Sequence, residues 1–435
     1  MNKRRLVVVC LLALAIAAPQ LAGAVGRAGK PDIVVVMVDD LGAIDERILE
    51  RLPNIKDLFL DNGLRFDQAY SETPLCCPAR ASFLTGQHTR KHGVVKNRAR
   101  LLDDSQTIAT ALHDAGYWTM MVGKYLNHPD ELADHTPAGW DRVAMLNTWV
   151  GNIWSSWWVQ DRPTLAGYHD RHMIRESMRW LRNAPDEKPL FMWLASRAPH
   201  WGSPNAGPSV GRARPWRTDA EPRYSRDQRC AGIEAWRPDN YAWDRQPAGF
   251  PLRNICESML TVDEMVGRLR AEMAAQGRNP IWMFTSDNGM AWGVDGYALK
   301  NVPQAGRLPV YFAGRGVVKG STSGLVSNID FGPTLASLAG TSMPAADGIS
   351  FARLLRGEPG GRSWLLEDHP RGGYTGEGFS GPWWGIRTPY WHLVEWDGTQ
   401  LYDIRADPLE AVDVHELYPS QVTHLRQLGL TALAP

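Results

Sequence analysis

Two pairs of oxygen-bearing side chains stand at the ends of apolar segments of the chain. Asp39 and Asp40 end the run DIVVVMVDD, and Asp287 and Asn288 follow the run IWMFTS. Carboxylate and amide oxygens are the ligands that hard divalent cations prefer. Either pair alone is typical of a turn or a helix cap. Two pairs at the tips of two strands of one sheet predict a metal site, with Ca²⁺ favoured and Mg²⁺ or Mn²⁺ as alternatives.

A second feature with chemical potential is the stretch SETPLCCPARASFLTG, where Cys76 and Cys77 directly precede Pro78. It has three interpretations: a structural thiol pair, a metal site, or a cysteine that does chemistry. Adjacent cysteines are poorly placed to bridge each other, because a vicinal disulfide strains the backbone. The stretch also lacks the C-x-x-C spacing of zinc and redox sites. Both observations weaken the first two interpretations.

The position of Cys76 relative to Pro78 and Arg80 indicates what it would attack. Proline suits the first turn of a helix, so Cys76 would lie at a helix N-terminus. Free N–H groups and the helix dipole favour an anion there, and Arg80 in the first turn would add a positive charge. A nucleophile at an anion-binding helix end, close to a hard cation, predicts attack on a sulfate or phosphate ester.

The elements that must position these residues predict an α/β architecture. Uninterrupted apolar runs indicate strands buried on both faces, and their alternation with amphipathic segments indicates a largely parallel sheet. In such sheets, ligands bind at the carboxyl ends of the strands. The predicted strands cover residues 32–40, 189–196, 281–289 and 308–314, and the predicted helices include one that Gly116 closes, 258–277 and 328–340.

The ends of the chain differ from its centre. The basic start MNKRR, the apolar run LVVVCLLALAIAA and the Ala22-x-Ala24 pattern predict a signal peptide over residues 1–24. An uncleaved membrane anchor is the alternative. We therefore expect a secreted or periplasmic protein without stable membrane insertion.

In an oxidising compartment Cys230 and Cys256 could form a disulfide. The chain has 47 Lys and Arg residues and 47 Asp and Glu residues, so its net charge gives no indication of a polyanionic partner. We expect no nucleic-acid partner.

Two further segments set the expected domain organisation. Residues 196–253 are rich in Pro, Gly, Trp and Arg, and predict a long surface insertion beside the site. This insertion could contact a sulfated glycan or pack on itself. Short aromatic runs after Pro359 predict antiparallel strands and turns. We therefore expect a catalytic domain over residues 25–358 and a small C-terminal antiparallel α+β subdomain over residues 359–435.

The five residues from Cys76 to Arg80 fit the pattern C-x-P-x-R, and the chain resembles the sulfatases of the alkaline-phosphatase-like superfamily. The resemblance covers nearly the whole mature chain. The double cysteine and GKYLN are similar to the N-acetylglucosamine-6-sulfatase and heparan-type branch. The resemblance to this family implies a large mixed, mostly parallel sheet sandwiched by helices. The segments that carry it are PNIKDLFLDNGLRFDQAYSETPLC, LTGQHTRKHGV, ALHDAGYWTMMVGKYLN, ASRAPH, SDNG and LYDIRADPLEAVDV.

The resemblance also implies a mechanism. A maturation enzyme would oxidise Cys76 to Cα-formylglycine, whose hydrate attacks sulfur, forms a covalent sulfated enzyme and then expels sulfate. Residue 76 would share the cation with the two pairs Asp39–Asp40 and Asp287–Asn288, called the acidic pairs below although Asn288 is neutral. Cys77 would have a packing role. The implied metal ligands are Asp39, Asp40, Cys76, Asp287 and Asn288. The implied catalytic residues are Cys76, Arg80, Lys124 and Lys300, which stabilise charge on the sulfuryl group, and His200, which protonates the leaving alcohol.

Two departures from the family pattern bear on the site. Ala79 stands where a serine usually precedes the arginine. Many members also have a histidine two residues after the active-site lysine, where this chain has Leu126, followed by Asn127 and His128. Either of these last two residues could cover part of the missing role.

Three functions remain open at this point. The first is a sulfatase acting on a sulfated carbohydrate or an aryl sulfate. The second is a phosphodiesterase or phosphonate monoester hydrolase on the same fold, since some such enzymes also use formylglycine. The third is a catalytically silent glycan-binding relative.

Overall fold

The computed structural model describes residues 29–132, 136–146, 154–159, 162–200, 220–233, 252–291, 300–374 and 379–434. The predicted signal peptide lies outside these ranges. Within them, no helix is both long enough and apolar enough to span a bilayer.

The described residues form a series of strands and helices. The strands are β1 (Ile33–Asp39), β2 (Leu64–Phe66), β3 (Ala69–Tyr70), β4 (Trp118–Gly123), β5 (Arg142–Leu146), β6 (Trp154–Val159), β7 (Arg162–Tyr168), β8 (Leu190–Pro199), β9 (Ile281–Ser286), β10 (Val310–Gly314), β11 (Gly320–Thr322), β12 (Val326–Ser327), β13 (Leu365–His369), β14 (Gly373–Tyr374), β15 (Phe379–Ser380), β16 (Trp383–Arg387), β17 (Trp391–Glu395) and β18 (Thr399–Asp403). The helices are α1 (Pro53–Ile55), α2 (Cys76–Thr85), α3 (Thr89–His92), α4 (Ile108–Asp114), α5 (His169–Arg182), α6 (Leu252–Ala275), α7 (Phe331–Leu338) and α8 (Pro419–Ala432).

Ten of the strands form one mixed sheet. Its order is β11-β2-β10-β9-β1-β8-β4-β5-β6-β7. The central strand β1 runs parallel to β8 and β9, and β4 runs parallel to β8 and β5. Antiparallel pairs join β10 to β9 and β6 to its two neighbours. The predicted large mixed sheet is therefore confirmed, with its parallel strands at the centre.

The apolar runs of the sequence are explained by burial of the sheet on both faces. In β1, Val34, Val36 and Val38 pack on one face with residues of α5 and α6. The residues between them pack on the other face with residues of α2, α4 and α7. Because successive side chains of a strand point to opposite faces, both sets must be apolar.

The C-terminal residues form the small subdomain that the aromatic runs predicted. Strands β13, β16, β17 and β18 make an antiparallel four-stranded sheet, and α8 packs against its apolar face. The boundary at residue 359 remains a prediction.

The prediction of a surface insertion over residues 196–253 holds for most of residues 220–233, which are exposed or half-buried, but not for its two ends or for two buried residues. Strand β8 continues to Pro199, and α6 begins at Leu252, six residues before the predicted helix start. Cys230 and Ile233 are fully buried in the core that contains α6. The structure joins Cys230 to Cys256 of α6 by a disulfide, which ties this segment to the helix. Residues 201–219 and 234–251 lie outside the described residues.

Removing this disulfide is expected to lower the free energy of unfolding by about 3 kcal/mol, because it restricts the unfolded chain. The bond joins residues 26 positions apart. A urea titration of the Cys230→Ala/Cys256→Ala protein against the wild type checks this expectation. An unchanged urea midpoint would contradict it.

Candidate active site

The two acidic pairs meet at the carboxyl edge of the central sheet. Val38 of β1 pairs with Ser286 of β9 in parallel register, so the residues that follow them are neighbours. The backbone N–H of Asp40 donates to Asp287 Oδ1 at 3.2 Å, and Asn288 Nδ2 donates to Asp40 Oδ1 at 2.7 Å. The sequence expectation that the pairs lie together is met by this register.

Cys76 is the first residue of α2 and points into the same edge. Its Sγ lies 3.6 Å from Asp39 Oδ1 and 3.0 Å from Lys300 Nζ. Leu75, which precedes the helix, has an extended backbone and makes no side-chain cap. The helix is buried along its whole length. The N-terminal end of the helix is therefore shielded from bulk water.

Three cations surround the carboxylates, and each pairs with a different one. Their positively charged groups would otherwise be buried without compensation, which is costly. The pairs are Lys124 Nζ to Asp39 Oδ2 at 2.5 Å, Lys300 Nζ to Asp40 Oδ1 at 2.5 Å, and Arg80 Nε to Asp287 Oδ2 at 2.8 Å. The structure thus brings together the three cations that the resemblance assigned to sulfate binding.

These pairs determine the charge states at the site. Burial works to raise the pKa of Asp39, but the positive groups around it, Lys124 first among them, together outweigh burial and hold that pKa well below its ordinary value. Burial raises the pKa of the Cys76 thiol to about 12, although Lys124 and Lys300 oppose the shift. An unmodified thiol at this position therefore stays protonated at neutral pH and is a poor nucleophile.

The end of β8 supplies an arginine to the site, and the residue that follows the strand supplies a histidine. His200 Nε2 lies 3.5 Å from Asp40 Oδ2, and the His200 backbone N–H donates to Arg197 O at 2.8 Å. Burial lowers the pKa of His200 to about 4, although Asp39 and Asp40 work to raise it. The ring is therefore neutral at pH 7 and carries one N–H donor.

Arg197 is a site residue that the sequence analysis did not identify. It is buried, and burial lowers its pKa against the charges of Asp39, Cys76 and Asp40. The available signal was its place in ASRAPH, three residues before His200, where a buried strand carries an arginine.

The donor atoms at the centre fit a divalent cation. Asp40 Oδ2 and Asn288 Oδ1 are buried and accept no hydrogen bond from any residue that the structure describes. Buried acceptors without a donor are costly, and oxygen atoms of this kind are what a hard cation binds. A wider group of candidate ligand atoms lies within 4.8 Å of one another, from Asp39, Asp40, Cys76 and His200.

Asp287 is bound differently from the other predicted ligands. Its Oδ1 accepts the backbone N–H groups of Asp40 and Asn288, and its Oδ2 accepts Arg80 Nε. It therefore orients the loop that carries Asp40 and Asn288, besides facing the centre.

The residues after Lys124 also have defined contacts or conformations. The Asn127 backbone N–H donates to Cys77 Sγ at 3.0 Å, and the Cys77 backbone N–H donates to Asn97 Oδ1 at 2.9 Å. Cys77 is fully buried, in agreement with a packing role. Asn127 thus fixes the neighbour of Cys76, while His128 takes a left-handed backbone with φ of 60°.

Comparison with known proteins decides the family. The chain matches the sulfatase family over residues 31–341. It belongs to the sulfatase family. The match covers the acidic pairs, Cys76, the three cations and His200, and it ends before the C-terminal sheet.

Individual relatives support this assignment. The chain is 28% identical to N-acetylglucosamine-6-sulfatase of Capra hircus over 77% of this chain and 65% of that protein. It is 28% identical to choline-sulfatase of Rhizobium meliloti over 89% of this chain and 83% of that protein. The chain therefore spans about two thirds of the length of the goat relative.

A solved structure shares the fold of this sulfatase. BT4656 in complex with its substrate D-glucosamine-2-N,6-O-disulfate superposes with a TM-score of 0.72 at 22% identity, over 93% of this chain and 97% of that chain. The alkaline-phosphatase-like fold expected from the sequence is thereby confirmed.

Helix α2 of this sulfatase is held from behind by polar contacts. Asn328 Nδ2 donates to Ala79 O at 3.0 Å, and Asn328 Oδ1 accepts the backbone N–H of Glu72 at 3.0 Å. The Glu72 carboxylate contacts His88 Nδ1 at 2.9 Å. Ala79 itself is buried, so its side chain faces protein.

Proposed function

We propose that this chain is an exported sulfatase that hydrolyses sulfate esters of a sulfated carbohydrate, with formylglycine formed from Cys76 and a bound divalent cation. The observation that carries the proposal is the convergence on Cys76 of two acidic pairs and three buried cations from five separate segments. No single segment could assemble this set, and its charges match a sulfate ester beside a hard cation.

The substrate class is supported by the relatives. The goat protein is named for N-acetylglucosamine 6-sulfate, and BT4656 was solved with a disulfated glucosamine. Sulfated sugars combine a hydroxyl-rich ring with a monoanionic ester. Export is supported by the predicted signal peptide and by a Drosophila melanogaster relative named as an extracellular sulfatase.

Each residue at the site has a proposed task. The cation, held by Asp39, Asp40, Asp287 and Asn288, would polarise the sulfuryl group when bound. Residue 76, as formylglycine, supplies a geminal diol. One hydroxyl oxygen bonds to sulfur as the bond from sulfur to the alcohol oxygen breaks. The other hydroxyl then loses its proton and reforms the aldehyde C=O, which breaks the C–O bond to the sulfate and releases it. Arg80, Lys124 and Lys300 stabilise negative charge on the sulfuryl oxygens.

His200 is proposed to donate a proton to the departing alcohol oxygen. Its ring lies beside Asp40 at the mouth of the carboxylate cluster. Its low pKa in the free protein means that the ring starts neutral. The negative charge of a bound sulfate ester raises the pKa of the His200 ring and so favours its protonated form.

The test is sulfate release by protein produced together with a formylglycine-generating enzyme. We expect release from N-acetylglucosamine 6-sulfate and from aryl sulfates, at rates above those on aryl phosphodiesters and phosphonate monoesters. Faster turnover of the phosphorus esters would support the hydrolase alternative. Glycan binding without any sulfate release by the matured protein would support the silent relative.

A further inference from the structure

Lys300 lies at the centre of the site, next to a residue with an unusual backbone conformation. Its Nζ lies 3.0 Å from Cys76 Sγ and 2.5 Å from Asp40 Oδ1. The next residue, Asn301, has a left-handed backbone with φ of 71°. Asparagine tolerates this conformation better than most residues, but it persists only where surrounding contacts fix it. The question is which contacts fix Asn301.

The contacts come from the C-terminal sheet. His369 Nε2 lies 2.9 Å from Asn301 Oδ1, and Trp383 Nε1 donates to Asn301 O at 2.8 Å. The Asn301 backbone N–H donates to Pro74 O at 3.2 Å. Pro74 is two residues before Cys76, so Asn301 is bound on one side to the segment that leads to the nucleophile and on the other to the subdomain.

The same strand of the subdomain also contacts the chain just before Cys76. The backbone N–H of Asp368 donates to Glu72 O at 2.9 Å, and Thr73 Oγ1 donates to Asp368 O. The Asp368 carboxylate binds Arg90 through two hydrogen bonds, at 2.6 and 3.0 Å. The end of β13 therefore contacts the residue next to Lys300 and the segment that leads to Cys76.

We propose that His369 is a positioning residue that acts through Asn301 to place Lys300 Nζ against residue 76 and Asp40. The inference rests on the proposed function and adds that the C-terminal subdomain completes the catalytic site. His369 is the best residue to substitute, because it contacts the Asn301 side chain and not the charged groups at the centre.

The surroundings of His369 suit a fixed contact. The side chain is fully buried, and burial lowers its pKa to about 4, so the ring is neutral and one nitrogen carries the proton. With the proton on Nε2, the ring donates to the Asn301 amide oxygen. Gly373 closes the other side, since a Cβ there would lie 2.6 Å from Asn301 Cγ. A buried hydrogen bond in such a confined place restricts the Asn301 side chain strongly.

The test is a double-mutant cycle between His369 and Lys300 in matured protein, measured as kcat/KM on an aryl sulfate. His369→Phe keeps an aromatic ring but removes the donor. We expect it to lower kcat/KM by about tenfold or more in the wild-type background, because small misplacements of a charge-stabilising group are costly. In the Lys300→Ala background we expect less than about a twofold effect, because the two residues act as one unit. Equal factors in both backgrounds, or no effect in the first, would overturn the proposal.

Controls separate positioning from general destabilisation. His369→Gln retains an N–H donor and is expected to restore most of the lost activity. Trp384→Phe alters the neighbour of Trp383 on the same strand and is expected to keep wild-type kcat/KM. If His369→Phe does not fold, Asn301→Gly tests the same contact, since glycine accepts the left-handed backbone and lacks the side-chain acceptor.

Two further outcomes are distinguishable. If turnover of Lys300→Ala is too slow to measure, the same cycle is run on the Kd for inorganic sulfate, with the same expected pattern. Wild-type matured protein that releases no sulfate would contradict the proposed function itself. Active wild type with an equally active His369→Phe variant would contradict only the positioning role.

Discussion

Replacing Cys76 by alanine is expected to lower sulfate release by roughly 10⁴-fold or more, the scale of loss seen when a covalent nucleophile is removed. The expectation follows from geometry. Cys76 Sγ lies at the N-terminus of α2, 3.0 Å from Lys300 Nζ and 3.6 Å from Asp39 Oδ1. The cations and the acidic pairs would remain, but they would have no atom to direct at sulfur. Steady-state release of sulfate from an aryl sulfate is the measurement.

Cys77→Ser is the matched control for this experiment. Cys77 is the adjacent, equally buried thiol, and its Sγ accepts the Asn127 backbone N–H. Serine keeps an acceptor at that place, so the buried N–H stays paired and the protein is expected to retain most of its activity. Equal loss in Cys76→Ala and Cys77→Ser, or full activity in Cys76→Ala, would contradict the assignment of the two cysteines.

Adding Ca²⁺ is expected to stabilise the wild-type protein against unfolding by about 2.7 kcal/mol at a hundredfold excess over its Kd. Asp40→Asn is expected to lose most of that gain. The substitution keeps the volume and the Oδ1 acceptor that Asn288 Nδ2 uses. It removes the negative charge of the residue whose Oδ2 has no hydrogen-bond donor among the described residues.

Thermal unfolding with and without Ca²⁺ measures this effect independently of activity. Asp263→Asn serves as the control. Asp263 is also a buried carboxylate, but it binds the backbone N–H groups of Asn54 and Ile55 far from the centre. That variant is expected to be less stable, yet to keep its full response to Ca²⁺. A Ca²⁺ response that survives in Asp40→Asn would contradict the proposed ligand set, as would a wild type that does not respond.

The central sheet and its acidic edge were predictable because their signals are local. The seven residues of β1 are all buried, so the strand reads as one apolar run that ends where the carboxylates begin. Pro78 lies in the first turn of α2 and Arg80 begins the second, and their spacing from Cys76 indicates both the helix and its charge. Lys124, Lys300 and His200 carry no such signal alone, and only the family resemblance pointed to them.

The remaining site residues could not be found in this way, because their roles arise from long-range packing. Arg197 lies in a strand whose burial predicts an apolar residue. Asn301 and His369 are separated by 68 positions, and their contact exists only because the C-terminal sheet docks beside the nucleophile. The attachment of the segment after β8 to the core was missed for a similar reason. Its Pro, Gly and Arg content indicates a loop, and most of residues 220–233 are exposed or half-buried. The disulfide to α6 and the burial of Ile233 anchor this loop to the core.

The central claim is that residue 76 acts as formylglycine, and peptide mass spectrometry tests it most directly. The protein is produced with a formylglycine-generating enzyme, digested, and the peptide that contains positions 76–80 is analysed alongside sulfatase activity of the same preparation. We predict a peptide whose mass corresponds to an aldehyde or its hydrate at position 76, in a fraction that rises with activity. An unmodified Cys76 thiol in a preparation with undiminished sulfatase activity would contradict the account.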